Sequence, residues 1–274
     1  MADTHPPIAF IGGGNMASAI IGGLIKQGMP AAQIEVVEPF APTREKLQAQ
    51  FGIAAEPSPG PALARAQLVV WAVKPQTFSE AASQARAHTA GALHLSVAAG
   101  IRSDSIARWL GTGRIVRSMP NTPALVGKGM TALYPRPDVT ADDKALVERV
   151  IATTGEHLWV QAEEQLDAVT ALSGSGPAYV FFFLESMTAA GVEMGLSREQ
   201  AHRLAVGTFV GASELARASD DPPQLLRERV TSKGGTTYAA ITSLQQDGVD
   251  ALFRKAMHAA CVRAGELGNE FGAA

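Results

Sequence analysis

The chain has 274 residues, 46% of them hydrophobic and 18% charged, with a net charge of −3 and a pI near 6.1. That length admits one large or two ordinary domains with a sizeable core. The slight acidity gives no general electrostatic reason to bind nucleic acid or an anionic membrane, so any anion must be held by a local site.

"MADTHPPIAF" lacks the basic start and long apolar stretch of a secretory signal. "AYVFFFL" (Ala178 to Leu184) is far shorter than the ~20 residues a membrane span needs. A soluble cytoplasmic protein is expected. The single cysteine, Cys261, rules out an intrachain disulfide and a cysteine zinc cluster, and reads as a small apolar helix residue. The six histidines show no H-E-x-x-H or other metal spacing and read as surface or packed structure. No metal site is expected.

Along the chain, "IAFIG" (8 to 12), "IEVVE" (34 to 38), "LVVWAV" (68 to 73), "LHLSVA" (93 to 98), "RIVRSM" (114 to 119), "GMTALY" (129 to 134) and "HLWV" (157 to 160) read as strands. Helical patterns such as 15 to 27, 42 to 51 and 102 to 110 lie between them, and this alternation predicts βαβ units on a mainly parallel sheet. From Glu163 onward the pattern is helical: 163 to 172, 177 to 195, 197 to 218, 222 to 230, 236 to 247 and 249 to 271, with breaks at "SGSGP", "GLS", "SDDPP", "SKGG" and "QDG". The expected fold is an α/β Rossmann-like domain over residues 1–162 followed by an all-α domain over 163–274. Helix 177 to 195 is apolar on more than one face and needs cover, either from a second subunit in an interlocked dimer or from the first domain.

Directly after the first strand, "IGGGNMASAI" places Gly12, Gly14 and Ala17 in a G-x-G-x-x-A spacing that opens the helix beginning at Asn15 and Met16. Gly12 permits a tight turn, Gly14 lets backbone approach a pyrophosphate, and Ala17 lets helix pack close to strand. The free N–H groups of the helix start then face the phosphates. Glu38, at the end of the second strand, stands where a carboxylate accepts hydrogen bonds from a coenzyme ribose. Glu38 favours NADH, whereas Thr43, Arg44 and Lys46 could hold the 2′-phosphate of NADPH, so either coenzyme remains open. Arg44 by itself reads first as a solvated helix-face charge.

"FIGGGNMASAIIGGL", "AVKPQ", "SVAAGI", "RSMPNTPALVGKG", "DAVTALSGSGPAY" and "LLRERVTSKGGTTYAAITSLQ" occur in this order over essentially the whole chain. In these blocks the sequence resembles the pyrroline-5-carboxylate reductases, which reduce 1-pyrroline-5-carboxylate to L-proline with NADPH or NADH. The resemblance implies a coenzyme domain, a helical dimerisation domain, and an active site where the two meet across a homodimer, with larger rings of dimers in the family. It places Ala72, Val73, Lys74, Pro75, Val97, Ala98 and Ala99 along the coenzyme. It assigns the substrate carboxylate to Ser232, Gly234, Gly235, Thr236 and Thr237, with Ser175 as a further contact. Two positions depart from the family: Pro59 aligns where an asparagine often touches the adenosine ribose, and Lys233 stands where many members have proline.

The chemistry agrees with such a site. An imine nitrogen takes a proton near neutral pH more readily than a carbonyl oxygen does, so the task is to bind the carboxylate, align the imine carbon and exclude water. Backbone N–H groups of Gly234, Gly235 and Thr236 at a helix start suit an anion, and Ser232 adds a hydroxyl. Thr237 could hydrogen-bond the ring nitrogen, which makes Thr237 and Ser232 the candidate catalytic contacts. "TSKGGTT" also reads as an ordinary capped loop. Lys74, after a buried strand, reads as coenzyme support before proton donor. Rival readings are a related imine reductase or β-hydroxyacid-dehydrogenase-like enzyme, and a non-catalytic dinucleotide sensor. Hydroxyacid enzymes use a helix lysine that "LDAVTALSGSGPAYVFFFL" lacks.

Overall fold

The structure is a computed structural model that describes residues 6–272. Seven strands, β1 (Ile8–Ile11), β2 (Ile34–Val37), β3 (Leu68–Trp71), β4 (Leu93–Ser96), β5 (Ile115–Met119), β6 (Gly129–Pro135) and β7 (Gly155–Trp159), coincide with the seven apolar runs. They form one sheet of order β2-β1-β3-β4-β5-β6-β7. β1 to β5 are mutually parallel where they pair, with Ile8 beside Ile34 and Leu68, whereas β6 runs antiparallel to β5 and β7 pairs parallel with β6. Only a short 3₁₀ segment, Thr122–Val126, joins β5 to β6, which suits an antiparallel neighbour and not a helical crossover.

Strands buried on both faces explain the unbroken apolar runs. Ile8 and Phe10 point into one core layer with Ile20, Ile21 and Leu24 of α1 (Asn15–Lys26). Ala9 and Ile11 point into the other, with Trp71, and with Phe78 and Ala82 of α3 (Pro75–Thr89). α2 (Ala41–Phe51) adds Leu47 to the first layer, as α5 (Ala141–Ile151) adds Val147 and Ile151, while Ile106 of α4 (Ser103–Leu110) joins the second. α5 starts with a capping box between Thr140 and Asp143, and Asp143 is paired with Arg114 (2.6 Å).

The helical half contains α6 (Gln165–Val169), α7 (Gly176–Glu193), α8 (Arg198–Arg217), α9 (Pro223–Arg229), α10 (Thr236–Gln246) and α11 (Val249–Gly272). The expected break at "SGSGP" is present as a bend at Ser175, with α7 starting afresh at Gly176. What the sequence does not show is that residues 170–174, just before it, form a π turn closed by the Ser175 N–H donating to the Thr170 carbonyl (2.8 Å).

The chain forms two compact units. One runs through Ser175 and includes the chain from Ala260 onward, and the other spans Gly176–Ala259. Residues 163–175 stay with the sheet because Glu163 pairs with Arg117 of β5, Asp167 pairs with Arg102, and Leu166 is buried.

The second unit has almost no core of its own. α7 contributes Thr188 and Gly191 as buried residues, α8 contributes Ala201 and Ala205, and α9 and α10 contribute none. Phe181 is 60% exposed and Phe182 64%, with Leu204, Val210 and Leu215 also open to solvent. So many large apolar side chains open to solvent on two neighbouring helices mark a site of association. Among the described residues no helix is long and apolar enough to cross a membrane.

His94 of β4 is the buried histidine of the sheet, 1% exposed, and accepts the Trp71 indole N–H on Nδ1 (3.0 Å). Burial, with Arg114 adding its charge, lowers its pKa from 6.5 to about 4 despite the opposing Thr89 carbonyl. The folded chain therefore keeps His94 neutral where the unfolded chain protonates it, and stability falls with pH across that window. His94→Gln, which retains an acceptor for Trp71, is expected to remove about 3 kcal/mol of the stability loss between pH 6.5 and 4. Denaturant unfolding at both pH values checks this, and equal losses in the two proteins contradict it.

Candidate functional site

The carboxyl ends of β1 to β5 lie at one edge of the sheet, and the order 2-1-3-4-5 puts the topological switch between β1 and β3, where ligands of open α/β sheets bind. Three backbone bonds stitch this edge together: Gly12 N–H to the Val37 carbonyl (2.8 Å), Ala72 N–H to Ile11 (2.8 Å) and Val97 N–H to Trp71 (3.1 Å). They bring the glycine turn, the Ala72–Pro75 segment and the Val97–Ala99 segment side by side.

Gly12 has φ +97°, and a Cβ there would fall 2.5 Å from the Ala72 carbonyl oxygen. No other residue type fits without moving β1 from β3. Gly14 is the opposite case: its φ of −68° is ordinary, and a Cβ would meet nothing within 4 Å. It is the N-cap of α1 and no side chain caps the helix, so the first-turn N–H groups at Asn15 and Met16 face open space. Ala17 is fully buried under the helix. A bare glycine, an uncapped helix start and its positive dipole fit the pyrophosphate of a dinucleotide.

Gly13 was not singled out in the sequence, and the third glycine itself is its only signal. A Cβ there would strike Leu47 (2.7 Å to Cδ1), and its N–H donates to Glu38 Oε2 (2.8 Å). Glu38 Oε1 accepts the Phe40 N–H as well (2.8 Å), so this carboxylate braces the turn before it meets any ribose. Each oxygen keeps a second lone pair for a ligand. Arg44 is not a solvated helix-face charge: its Nη1 donates to the carbonyls of Glu38 (2.9 Å) and Pro39 (2.7 Å), fixing the guanidinium beside Glu38.

Lys74 is exposed and is the N-cap of α3, which begins at Pro75; its carbonyl accepts from Thr77. Val73 packs on the core, and Ala98 is buried with its N–H on Ser96 Oγ (3.3 Å). Ala72, Val97 and Ala99 are half-buried along the same edge. Ser175, half-buried, closes the π turn described above.

In the second unit, Ser232, Gly234, Thr236 and Thr237 are exposed and Gly235 half-buried. Gly234 has φ +74°, and Gly235 is the N-cap of α10 with no side-chain cap. The Gly235 N–H is not free for a carboxylate, because it donates to the Ser232 carbonyl (3.0 Å) and closes the turn. The uncapped N–H groups at Thr236 and Thr237 remain, since α10's own bonding starts with Ala239 N–H to the Gly235 carbonyl (3.1 Å). A Cβ on Gly235 would sit 2.7 Å from Ser232 Oγ, so the glycine is what lets that hydroxyl stand over the helix start.

Residues 163–267 match the family profile "pyrroline-5-carboxylate reductase dimerisation", and residues 7–100 match "NADP oxidoreductase coenzyme F420-dependent". The chain is 47% identical over 270 residues to a pyrroline-5-carboxylate reductase of Pseudomonas aeruginosa, covering 97% of this chain and 98% of that protein. Among solved structures, the pyrroline-5-carboxylate reductase of Coxiella burnetii superposes with a TM-score of 0.89 at 37% identity, covering 96% of this chain and 98% of the other. The Plasmodium falciparum pyrroline carboxylate reductase with NADP bound gives 0.85 at 29% identity, over 96% and 98%. The exposed apolar faces of α7 and α8 fall within the dimerisation match.

The two outer glycines of the turn should respond differently. Gly14→Ala is expected to leave thermal stability unchanged, within about 0.5 kcal/mol, because its Cβ enters open space. Placed over the helix start, the same methyl should weaken coenzyme binding about tenfold or more. Fluorescence titration with NADPH reads this, and wild-type affinity in the variant would show that no phosphate approaches Gly14.

Proposed function

Because the chain belongs to the pyrroline-5-carboxylate reductase family, we infer that it reduces 1-pyrroline-5-carboxylate to L-proline with a hydride from NADPH or NADH, the last step of proline biosynthesis. The observation that carries the reading is that the kinship spans both halves, so coenzyme turn and carboxylate cradle belong to one chain.

The bound coenzyme supplies the hydride for the imine carbon. Gly12, Gly14 and the N–H groups opening α1 hold its pyrophosphate, and Ala72 to Pro75 with Val97 to Ala99 line its path. Glu38 receives the adenosine ribose, and Arg44, held beside it, can meet a 2′-phosphate. The relative from Plasmodium falciparum binds NADP, which favours NADPH here. Lys74 adds positive charge at the sheet edge for an anionic substrate.

The substrate carboxylate sits on the N–H groups of Thr236 and Thr237, with the Ser232 hydroxyl and the charge of Lys233 nearby. The Thr237 hydroxyl donates to the ring nitrogen and relays a proton from water as the imine carbon takes the hydride. The hydride's electron pair becomes the new C–H bond, the C=N π pair moves to nitrogen and binds the proton as the N–H bond, and the nitrogen keeps its original lone pair, so no further acid is needed. Ser175 makes a secondary contact. The working unit is a cytoplasmic homodimer, and a ring of dimers is its extension.

Purified protein should consume NADPH or NADH when given 1-pyrroline-5-carboxylate and not when given a 2-keto acid. Coenzyme binding without turnover would instead indicate a sensor. Thr237→Ala is expected to lower kcat about tenfold to a hundredfold, in the range of a lost proton-transfer contact, while coenzyme affinity stays at the wild-type level. Unchanged kcat and KM in that variant would remove Thr237 from the reaction.

A further inference from the structure

Residues 163–175 run beside β5 and are fastened to it at both ends. At the start, Arg117 Nη1 donates to Glu163 Oε1 (2.5 Å), and Ser103 adds its N–H to Oε1 (2.6 Å) and its hydroxyl to Oε2 (2.7 Å). At the far end, Asn121 Nδ2 donates to the Ser173 hydroxyl (3.1 Å) and carbonyl (3.3 Å) while its Oδ1 accepts the Met130 N–H (2.9 Å). Met119 Cε fills the place where a Cβ on Gly174 would lie, 2.3 Å away.

The two runs are held together end to end. The extended run from Arg117 to Asn121 advances ~13 Å, and the run from Glu163 to Ser173, a turn followed by α6 and the π turn, is bonded to it at both ends. The helical segment therefore acts as a short rod whose tip is the Ser173-Gly174-Ser175 turn at the carboxyl end of β5.

The anchor of this rod is stiff. The Arg117 side chain is only 5% exposed, so water cannot stand in for Glu163. Burial by itself raises the Glu163 pKa, but the Arg117 charge and the Ser103 bonds outweigh it and hold the carboxyl below its ordinary range. Arg102 pairs with Asp167 (2.7 Å) and Arg136 with Asp104 nearby, so three arginines face three carboxylates. No positive excess is left for an additional anion, which makes the cluster a fastening and not a ligand site.

We propose that the Arg117, Glu163 and Ser103 fastening is a positioning device of the active site, which sets where the Ser173–Ser175 turn stands beside the coenzyme crevice and thereby governs turnover and not coenzyme binding. It rests on the reductase reading, since that reading brings Ser175 to the substrate.

The test compares wild-type protein with Glu163→Gln, with the double variant Arg117→Met/Glu163→Met, and with Ser103→Ala. Measurements are kcat and KM for 1-pyrroline-5-carboxylate, the Kd for NADPH, and Tm. Glu163→Gln should lower kcat about tenfold, as expected for a misplaced active-site group, with the NADPH Kd at its wild-type value. The double methionine variant removes both buried charges and should regain Tm, as apolar replacements of buried pairs do. A kcat that stays low after Tm recovers supports positioning, whereas a kcat that returns with Tm shows a purely structural role and overturns it. If the double variant does not fold, Ser103→Ala decides, with a kcat about threefold lower expected for one lost contact and an unchanged kcat contradicting the proposal. Wild-type protein that turns over no substrate overturns the reductase reading itself, and this inference with it.

Discussion

The contact of Gly12 with the Ala72 carbonyl governs the rest of the coenzyme edge. At that point β1 and β3 come together so closely that a Cβ would lie 2.5 Å from the oxygen. The chain of β1 then goes to one side of the sheet and that of β3 to the other, leaving a crevice between the two following helices. The glycine turn, the Ala72–Pro75 segment and the uncapped start of α1 all take their places from this approach. Glu38 reinforces it by holding Gly13 and Phe40 with the two oxygens of one carboxylate. The turn is thus shaped in the absence of any phosphate, which lowers the ordering cost of binding one.

The sheet was legible because burial on both faces forces runs of apolar residues, and each of the seven runs became a strand. The G-x-G-x-x-A spacing was legible because it encodes backbone geometry that few residue types can adopt. What escaped the sequence depends on partners far along the chain. Arg117 and Glu163 are 46 residues apart, and nothing local marks them as a pair. The break at "SGSGP" was legible, but the π turn at 170–174 before it was not, since Met119, more than fifty residues earlier, packs against Gly174 there. Gly235 was taken as a donor to the substrate, but only the folded turn reveals that Ser232 already accepts its N–H. Arg44 read as a solvated charge because the carbonyls it grips become available only once β2 ends and α2 turns away.

The two units are stabilised differently. The sheet unit has two apolar layers and a paired charge cluster, and can account for its own cohesion. The helical unit leaves Phe181, Phe182 and the outward residues of α8 exposed, with only small residues buried between α7 and α8. For such a unit, folding and association are linked, and apparent stability should rise with protein concentration. This physical need for cover agrees with the dimerisation family to which the segment belongs.

Isotope transfer tests the central claim most directly. The chain would be incubated with 1-pyrroline-5-carboxylate and coenzyme carrying deuterium at the transferable position of the nicotinamide, and the product analysed by mass spectrometry and NMR. The account predicts L-proline with one deuterium on the ring carbon that was the imine carbon. Proline without label, or no proline from protein that binds the coenzyme, would contradict hydride transfer at this crevice.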